Sequence, residues 1–168
     1  QSFSAPGTVN DDGQLTSHRF DSMLLTDSGH LYLVWLDKRA LEAATQAGKS
    51  YAGSAVFGAI STDYGASFSG NFKVADNSCE CCRIAIAPHG ADSVALVWRQ
   101  LYDGARDHAI AVVGPDGELV YQNRASADNW QINACPHHGP ALAPAAHGDG
   151  EPGAYHVSWF SNSDTHKG

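Results

Sequence analysis

The chain has 168 residues, 43% of them hydrophobic and 17% charged, a single-domain length and a composition that excludes a disordered polymer. Ten Lys and Arg against 18 Asp and Glu leave a formal net charge of −8, which argues against a nucleic-acid face or an anionic-membrane patch, since both need clustered positive charge. No apolar run approaches the ~20 residues of a bilayer span, and no charged-then-apolar stretch at the start reads as a signal peptide.

In chain order, the first predicted element is a β-hairpin from Met23 to Trp35, with apolar and β-branched residues on both sides of Thr26-Asp-Ser-Gly29. Arg39 to Ala47 is helix-prone and reads as an insertion. Ser54 to Ile60 reads as a third strand and Phe72 to Ala75 as a short, exposed fourth. The pattern then restarts. Ile84 to Trp98 is a second hairpin around Pro88-His-Gly90, Asp107 to Val113 a third strand, and Glu118 to Tyr121 a short fourth. A third hairpin spans Ala141 to Trp159. Trp35, Trp98 and Trp159 close the three hairpins at spacings of 63 and 61 residues, so the chain is read as an internal repeat.

Four short antiparallel strands per unit describe a propeller blade. The expected fold is therefore all-β, a β-propeller of four-stranded antiparallel blades, with units at about 18–78, 79–134 and an incomplete 135–168. Two and a half blades do not close a ring, because propellers use about 4–8. The expectation is a piece of a longer, six-bladed chain, completed by its own further blades or by other copies. The repeat-related Trp35, Trp98 and Trp159 are expected in blade cores. Trp130 stands outside the repeat, as a ligand platform or a packing residue. His30, His108 and His156 are expected as satisfied strand histidines, and His89 and His147 as solvated turn residues.

Ser61-Thr-Asp63-Tyr-Gly65-Ala-Ser67-Phe68 fits Ser-x-Asp-x-Gly-x-Ser/Thr-Phe/Trp. Asp63 suits a turn in which it accepts backbone N–H groups, Gly65 a left-handed conformation, and Phe68 a place between sheets. The motif resembles the Asp box of the bacterial neuraminidase repeat in sialidase-like β-propellers, and Gly114-Pro-Asp-Gly117 is a degenerate copy. The resemblance implies a structural role for the box, away from the active face. It also implies that a true sialidase would carry an arginine triad, a Tyr–Glu nucleophile pair and an Asp acid/base. Arg19, Arg39, Arg83, Arg99 and Arg106 are the candidate arginines, but none lies in Arg-Ile-Pro; Arg83-Ile-Ala is nearest. Glu42, Glu80, Glu118 and Glu151 lack a recognisable nucleophile context. The arginines are therefore expected as solvated charges or partners of Asp37, Asp103 and Asp107.

The sharper feature is Cys79-Glu-Cys81-Cys82 with Cys135-Pro-His137-His138. Ala85 to Pro88 match Ala141 to Pro144 at an offset of 56, which lays Cys79 on Cys135, Cys81 on His137 and Cys82 on His138. An offset of 61, through Gly29 and Gly90, lays His18 on Cys79 and Asp21 on Cys82. These positions precede each innermost strand, so the side chains are expected to converge beside the channel. Two chemistries remain open. Four cysteines allow two disulfides in three connectivities, although adjacent Cys81 and Cys82 bridge each other only under strain. Alternatively, thiolate and imidazole groups bind a soft metal, copper or zinc. Cys79, Cys82, Cys135 and His138 are then the leading ligands, with Cys81, His137 and His18 as extra or exchanging ones. A reactive thiol is the third use.

Together these readings give an exported segment, bacterial periplasmic or secreted, acting as a non-catalytic binding or scaffold module. Its partner is a glycan or another protein, with no nucleic acid and no membrane span. The alternative is a sialidase-type glycoside hydrolase whose remaining catalytic residues lie elsewhere.

Overall fold

The computed structural model describes residues 2–145 and 153–164; His147, Glu151 and the segment 165–168 lie outside the described residues. The fold is mostly antiparallel β-sheet. Its elements are β1 (His18–Leu25), β2 (Leu31–Asp37), α1 (Arg39–Gln46), β3 (Ser54–Ser61), β4 (Phe72–Ser78), β5 (Ala85–His89), β6 (Ser93–Tyr102), β7 (Ala105–Val113), β8 (Leu119–Arg124), β9 (Ala141–Pro144) and β10 (Tyr155–Ser158).

Strands β1 to β4 form one antiparallel meander and β5 to β8 a second. A single residue pair, Ser78 with Gln100, joins β4 to β6 and makes one continuous hydrogen-bonded path of the two. β9 and β10 form a separate two-stranded sheet. The first strands of the three units touch in sequence, β1 against β5 and β5 against β9.

The period-2 alternation of a strand sends successive side chains to opposite faces, and that sorts the core. Tyr32, Val34 and Leu36 of β2 face Val94, Leu96 and Trp98 of β6, joined by Val56, Ala109 and Ala111 in one buried cluster. Tyr32 also donates its hydroxyl to the Asp92 carbonyl at 2.6 Å. Trp35 and Trp98 are both buried, and each indole N–H donates to a side chain two residues on: Asp37 at 2.8 Å and Gln100 at 2.7 Å. Gln100 in turn donates to the Asp76 carbonyl at 2.6 Å, which ties the second sheet to the first.

Some expectations change. The fourth strand of the first unit is longer than expected, and Val74, Ala75 and Ser78 are buried because the second sheet covers them. β8 has no such cover and is exposed throughout, as expected. Trp159 is 37% exposed rather than core. It keeps the repeat's direction, with its ring 5.4 Å from that of His108 on the preceding sheet, but its indole donates outward to Asp128 at 2.8 Å. His89 is not a solvated turn residue: it is half-buried and its Nδ1 lies 2.7 Å from the Tyr155 hydroxyl. His108 is fully buried with neither ring nitrogen partnered, so it is not a satisfied strand histidine. Burial pushes its pKa down to about 3, with the Arg99 charge adding to the effect.

The Ser61–Phe68 motif forms a turn between β3 and β4. Asp63 accepts from the Ser67 backbone at 2.8 Å, the Ser67 hydroxyl at 2.6 Å and the Ser61 hydroxyl at 2.7 Å, while Gly65 takes φ +89. These donors hold the Asp63 carboxyl down at about 2, the Ser67 hydroxyl contributing most. Phe68 is half-buried and shares a shallow groove with Pro115 and Asp116 of the β7–β8 turn.

Candidate metal centre

The cysteine motif forms the connection from β4 to β5, at the end of β4 opposite the Asp63 turn. Both ends of this connection are pinned. The Cys79 N–H donates to the Arg99 carbonyl at 2.8 Å, and the Ile84 carbonyl accepts the Ser22 hydroxyl at 2.6 Å. Asn77, the exposed penultimate residue of β4, has φ +56, a conformation Asn tolerates better than most. The chain between the pins turns tightly, and its three thiols point inward.

Cys79, Cys81 and Cys82 are 1%, 3% and 1% exposed. Their three sulfurs lie within 4.8 Å of one another. Cys79 Sγ is 2.8 Å from Cys82 Sγ and 3.7 Å from Cys81 Sγ. Phe20 of β1 packs against the group. The Arg106 guanidinium, at the start of β7, donates through Nη1 to Cys79 Sγ at 3.1 Å and through Nε to the Ile132 carbonyl at 3.0 Å.

This arrangement separates the thiols electrostatically. The Cys82 thiol, donating to Cys79, brings the Cys79 pKa down to about 5 against the cost of burial, with the Arg106 charge assisting. Burial and the contact with Cys135 push Cys81 up to about 12. Its donation to Cys79, together with burial, raises Cys82. A thiol with a lowered pKa therefore sits beside two with raised ones, a set that a soft cation can occupy by displacing protons.

Of the seven residues expected as ligands, the structure brings Cys79, Cys81 and Cys82 together, places Cys135, His137 and His138 on the loop between β8 and β9, and leaves His18 apart. Cys135 is exposed and interacts with Cys81, and the backbone of His137 bonds to Cys81 as well. The His138 ring turns to Phe160, 4.8 Å between centroids. All four thiols are free. His18 is elsewhere: its Nε2 lies 3.1 Å from Asp12 and 3.5 Å from Asp37. That trio also has ligand-like spacing. However, Arg39 already reaches Asp37 at 2.9 Å and Asp12 at 3.6 Å, and Trp35 donates to Asp37, so the group reads as a charge-balanced network fastening residues 11–12 to β2. Asp21 is exposed.

Trp130 is buried, edge-on to Phe160 at 5.7 Å and beneath the Arg99 guanidinium at 5.0 Å, which is packing rather than a ligand platform. Four of the five candidate arginines are engaged within the fold, Arg19 only through its neighbour Ser17, to whose hydroxyl its Nε donates at 2.7 Å. Arg39 pairs with Asp37 and Asp11. Arg99 is buried and donates to the Arg106 and Phe160 carbonyls, and Arg106 holds Cys79. Asp107 is paired with Arg124, a residue sequence reasoning passed over. It also missed the role of Arg106, which no local pattern marks, because that role depends on the β6–β7 register. Beside Arg106, a cleft of about 720 Å³ opens between Tyr51, Asn77, Asp103, Gln131 and Asn133.

Compared with known proteins, the chain matches no family model and no curated sequence. Among the described residues, no helix is long and apolar enough to cross a membrane.

Proposed function

We propose that this chain is part of an exported, Asp-box, sialidase-like β-propeller, serving as a non-catalytic binding module whose loop end holds Cu(I) on Cys79, Cys81 and Cys82. The propeller reading draws support from two successive four-stranded meanders, the chain of contacts from β1 to β5 to β9, and tryptophans that face the same way in successive units. Further blades, from the same parent or from other copies, complete the ring. The non-catalytic reading draws support from Arg39, Arg99 and Arg106, whose guanidinium groups are held by the fold itself rather than displayed to a substrate carboxylate.

The observation that carries the metal reading is the meeting of three buried sulfurs beside a guanidinium. Soft thiolates select Cu(I) or zinc. Structural zinc takes four tight ligands, and among the described residues no fourth ligand atom lies within the cluster's 4.8 Å. Three sulfurs suit the lower coordination of Cu(I), and Arg106 offsets the negative charge of the thiolate complex. A periplasmic or extracellular location fits both the fold family and captured copper.

One observation favours a second reading. Cys79 and Cys82 are the closest pair of sulfurs, at 2.8 Å, and oxidation would join them. Metal analysis with thiol titration of the purified chain separates the two. Copper binding expects one copper per chain and reactive thiols that become protected on loading. Metal-free protein with Cys79 and Cys82 oxidised, and no copper uptake after reduction, overturns it.

A further inference from the structure

The three sulfurs proposed as ligands are at most 3% exposed, so neither a hydrated ion nor a bulky copper carrier reaches them directly. Cys135 differs. It is exposed, yet it acts electrostatically on Cys81, the least buried of the three.

The loop that carries Cys135 is fixed over the site at several points. Gln131 bridges to Ala105, the Trp130 carbonyl accepts the Arg106 N–H at 2.8 Å, and the Ile132 carbonyl accepts Arg106 Nε. Beyond Cys135, the His138 ring stacks on Phe160, whose carbonyl accepts Arg99 Nη2 at 2.8 Å. At Gly139 the loop backbone lies directly on Arg83, the residue after Cys82; a Cβ there would sit 2.8 Å from Arg83 Cβ. Arg106 thus holds the loop through one nitrogen and Cys79 through another. His137 adopts φ +57 within this loop, an uncommon conformation for a residue with a side chain, and its backbone bonds to Cys81. An exposed thiol held in place over a sealed sulfur cluster is built for exchange.

We infer that Cys135 is the port of this site, the solvent-facing ligand through which Cu(I) passes between a low-molecular-weight thiol complex and the buried cysteines. The inference rests on the copper reading and extends it from storage to transfer. In the first step a Cu–S bond forms to Cys135 and one Cu–S bond to the donor thiol breaks, with the Cys135 proton passing to the departing thiolate. In the second, Cu–S bonds form to Cys81 and then to Cys79 and Cys82 as the bonds to Cys135 and to the remaining donor thiolate break, with the ligand protons passing to Cys135, to the departing thiolate and to solvent. Copper stays in the +1 state throughout, so no oxidant or reductant is consumed.

The test uses the purified chain, reduced under nitrogen, with Cu(I)–glutathione as donor and bathocuproine disulfonate as acceptor. For Cys135→Ser, loading and unloading are both expected to slow about tenfold or more, while the equilibrium affinity, read by competition with bicinchoninate, stays within about threefold. Cys135→Met, which restores a soft sulfur, is expected to recover most of the rate. Unchanged rates in Cys135→Ser overturn the port and leave the copper reading standing. A fall in affinity beyond that threefold range also overturns it, because Cys135 would then be a resident ligand. A wild-type chain that takes up no Cu(I) overturns the copper reading itself, and the port with it.

Discussion

The Arg106 guanidinium donates to Cys79 Sγ at 3.1 Å, although the two residues are 27 apart in the chain. That contact links the β4–β5 connection to the start of β7 and places a permanent positive charge against the cluster thiol whose pKa is lowered. A guanidinium stays charged throughout the accessible pH range. It therefore favours any state of the cluster that carries negative charge, including a metal–thiolate complex.

Removing that charge should weaken metal binding without emptying the core. Arg106→Leu is expected to lower Cu(I) affinity about tenfold, the effect of roughly 1.4 kcal/mol, with Arg106→Lys losing less. Competition with bicinchoninate for Cu(I) checks it, alongside a thermal melt to show that both variants fold. Equal affinities for wild type and Arg106→Leu would contradict the electrostatic role.

Acid should destabilise the fold through His108. Its folded pKa of about 3 lies below the ordinary 6.5, so the unfolded chain takes up the proton first. The stabilisation is complete above pH 6.5 and is lost as pH falls toward 3. Each unit in that window costs up to about 1.4 kcal/mol, giving about 2–3 kcal/mol between pH 7 and 4.5. Urea melts across that range are expected to show the loss in wild type and a flatter profile in His108→Leu.

The two tryptophans that end successive hairpins should differ in weight. Trp98 is 1% exposed with its indole bound to Gln100, and Trp98→Ala is expected to cost about 3–5 kcal/mol. Trp159 is 37% exposed, and Trp159→Ala is expected to cost less than half as much. Denaturant melts of the two variants, with a matched slope, settle the ranking.

Gly53 couples the fold to the site. It has φ +70, and a Cβ there would fall 2.0 Å from the carbonyl oxygen of Ser78, immediately before Cys79. Gly53→Ala is therefore expected to destabilise by about 2 kcal/mol or more, combining backbone strain with displacement of the β4 end. A matching drop in Cu(I) affinity should accompany it, whereas Gly48→Ala, where the added atom meets open space, should leave the metal site intact.

Much of this arrangement is legible in the chain itself. Runs of apolar and β-branched residues between Gly-containing turns mark β2, β6 and β7, and β6 is buried on both faces from Val94 to Gln100. The turn at Asp63 is legible because it is made by local hydrogen bonds within seven residues. Laying the repeat on itself marks Cys79, Cys81 and Cys82 as a loop before an inner strand, and the cysteines do gather there. The other half of that alignment is less informative. His18 matches Cys79 by offset but goes to Asp12 and Asp37, since the nearby charges of Arg39 and the two carboxylates decide its place. His138 matches Cys82 and turns instead to Phe160. The burial of β4, the solvent exposure of Trp159 and the unpartnered ring of His108 follow from how sheets stack, which no window of sequence encodes.

Copper K-edge X-ray absorption on the chain loaded with one equivalent of Cu(I) tests the central claim most directly. The account predicts a Cu(I) edge with sulfur as the sole neighbour and a coordination number near three, falling in each of Cys79→Ser, Cys81→Ser and Cys82→Ser. A first shell of nitrogen or oxygen, or copper that leaves the protein on gel filtration, would contradict it.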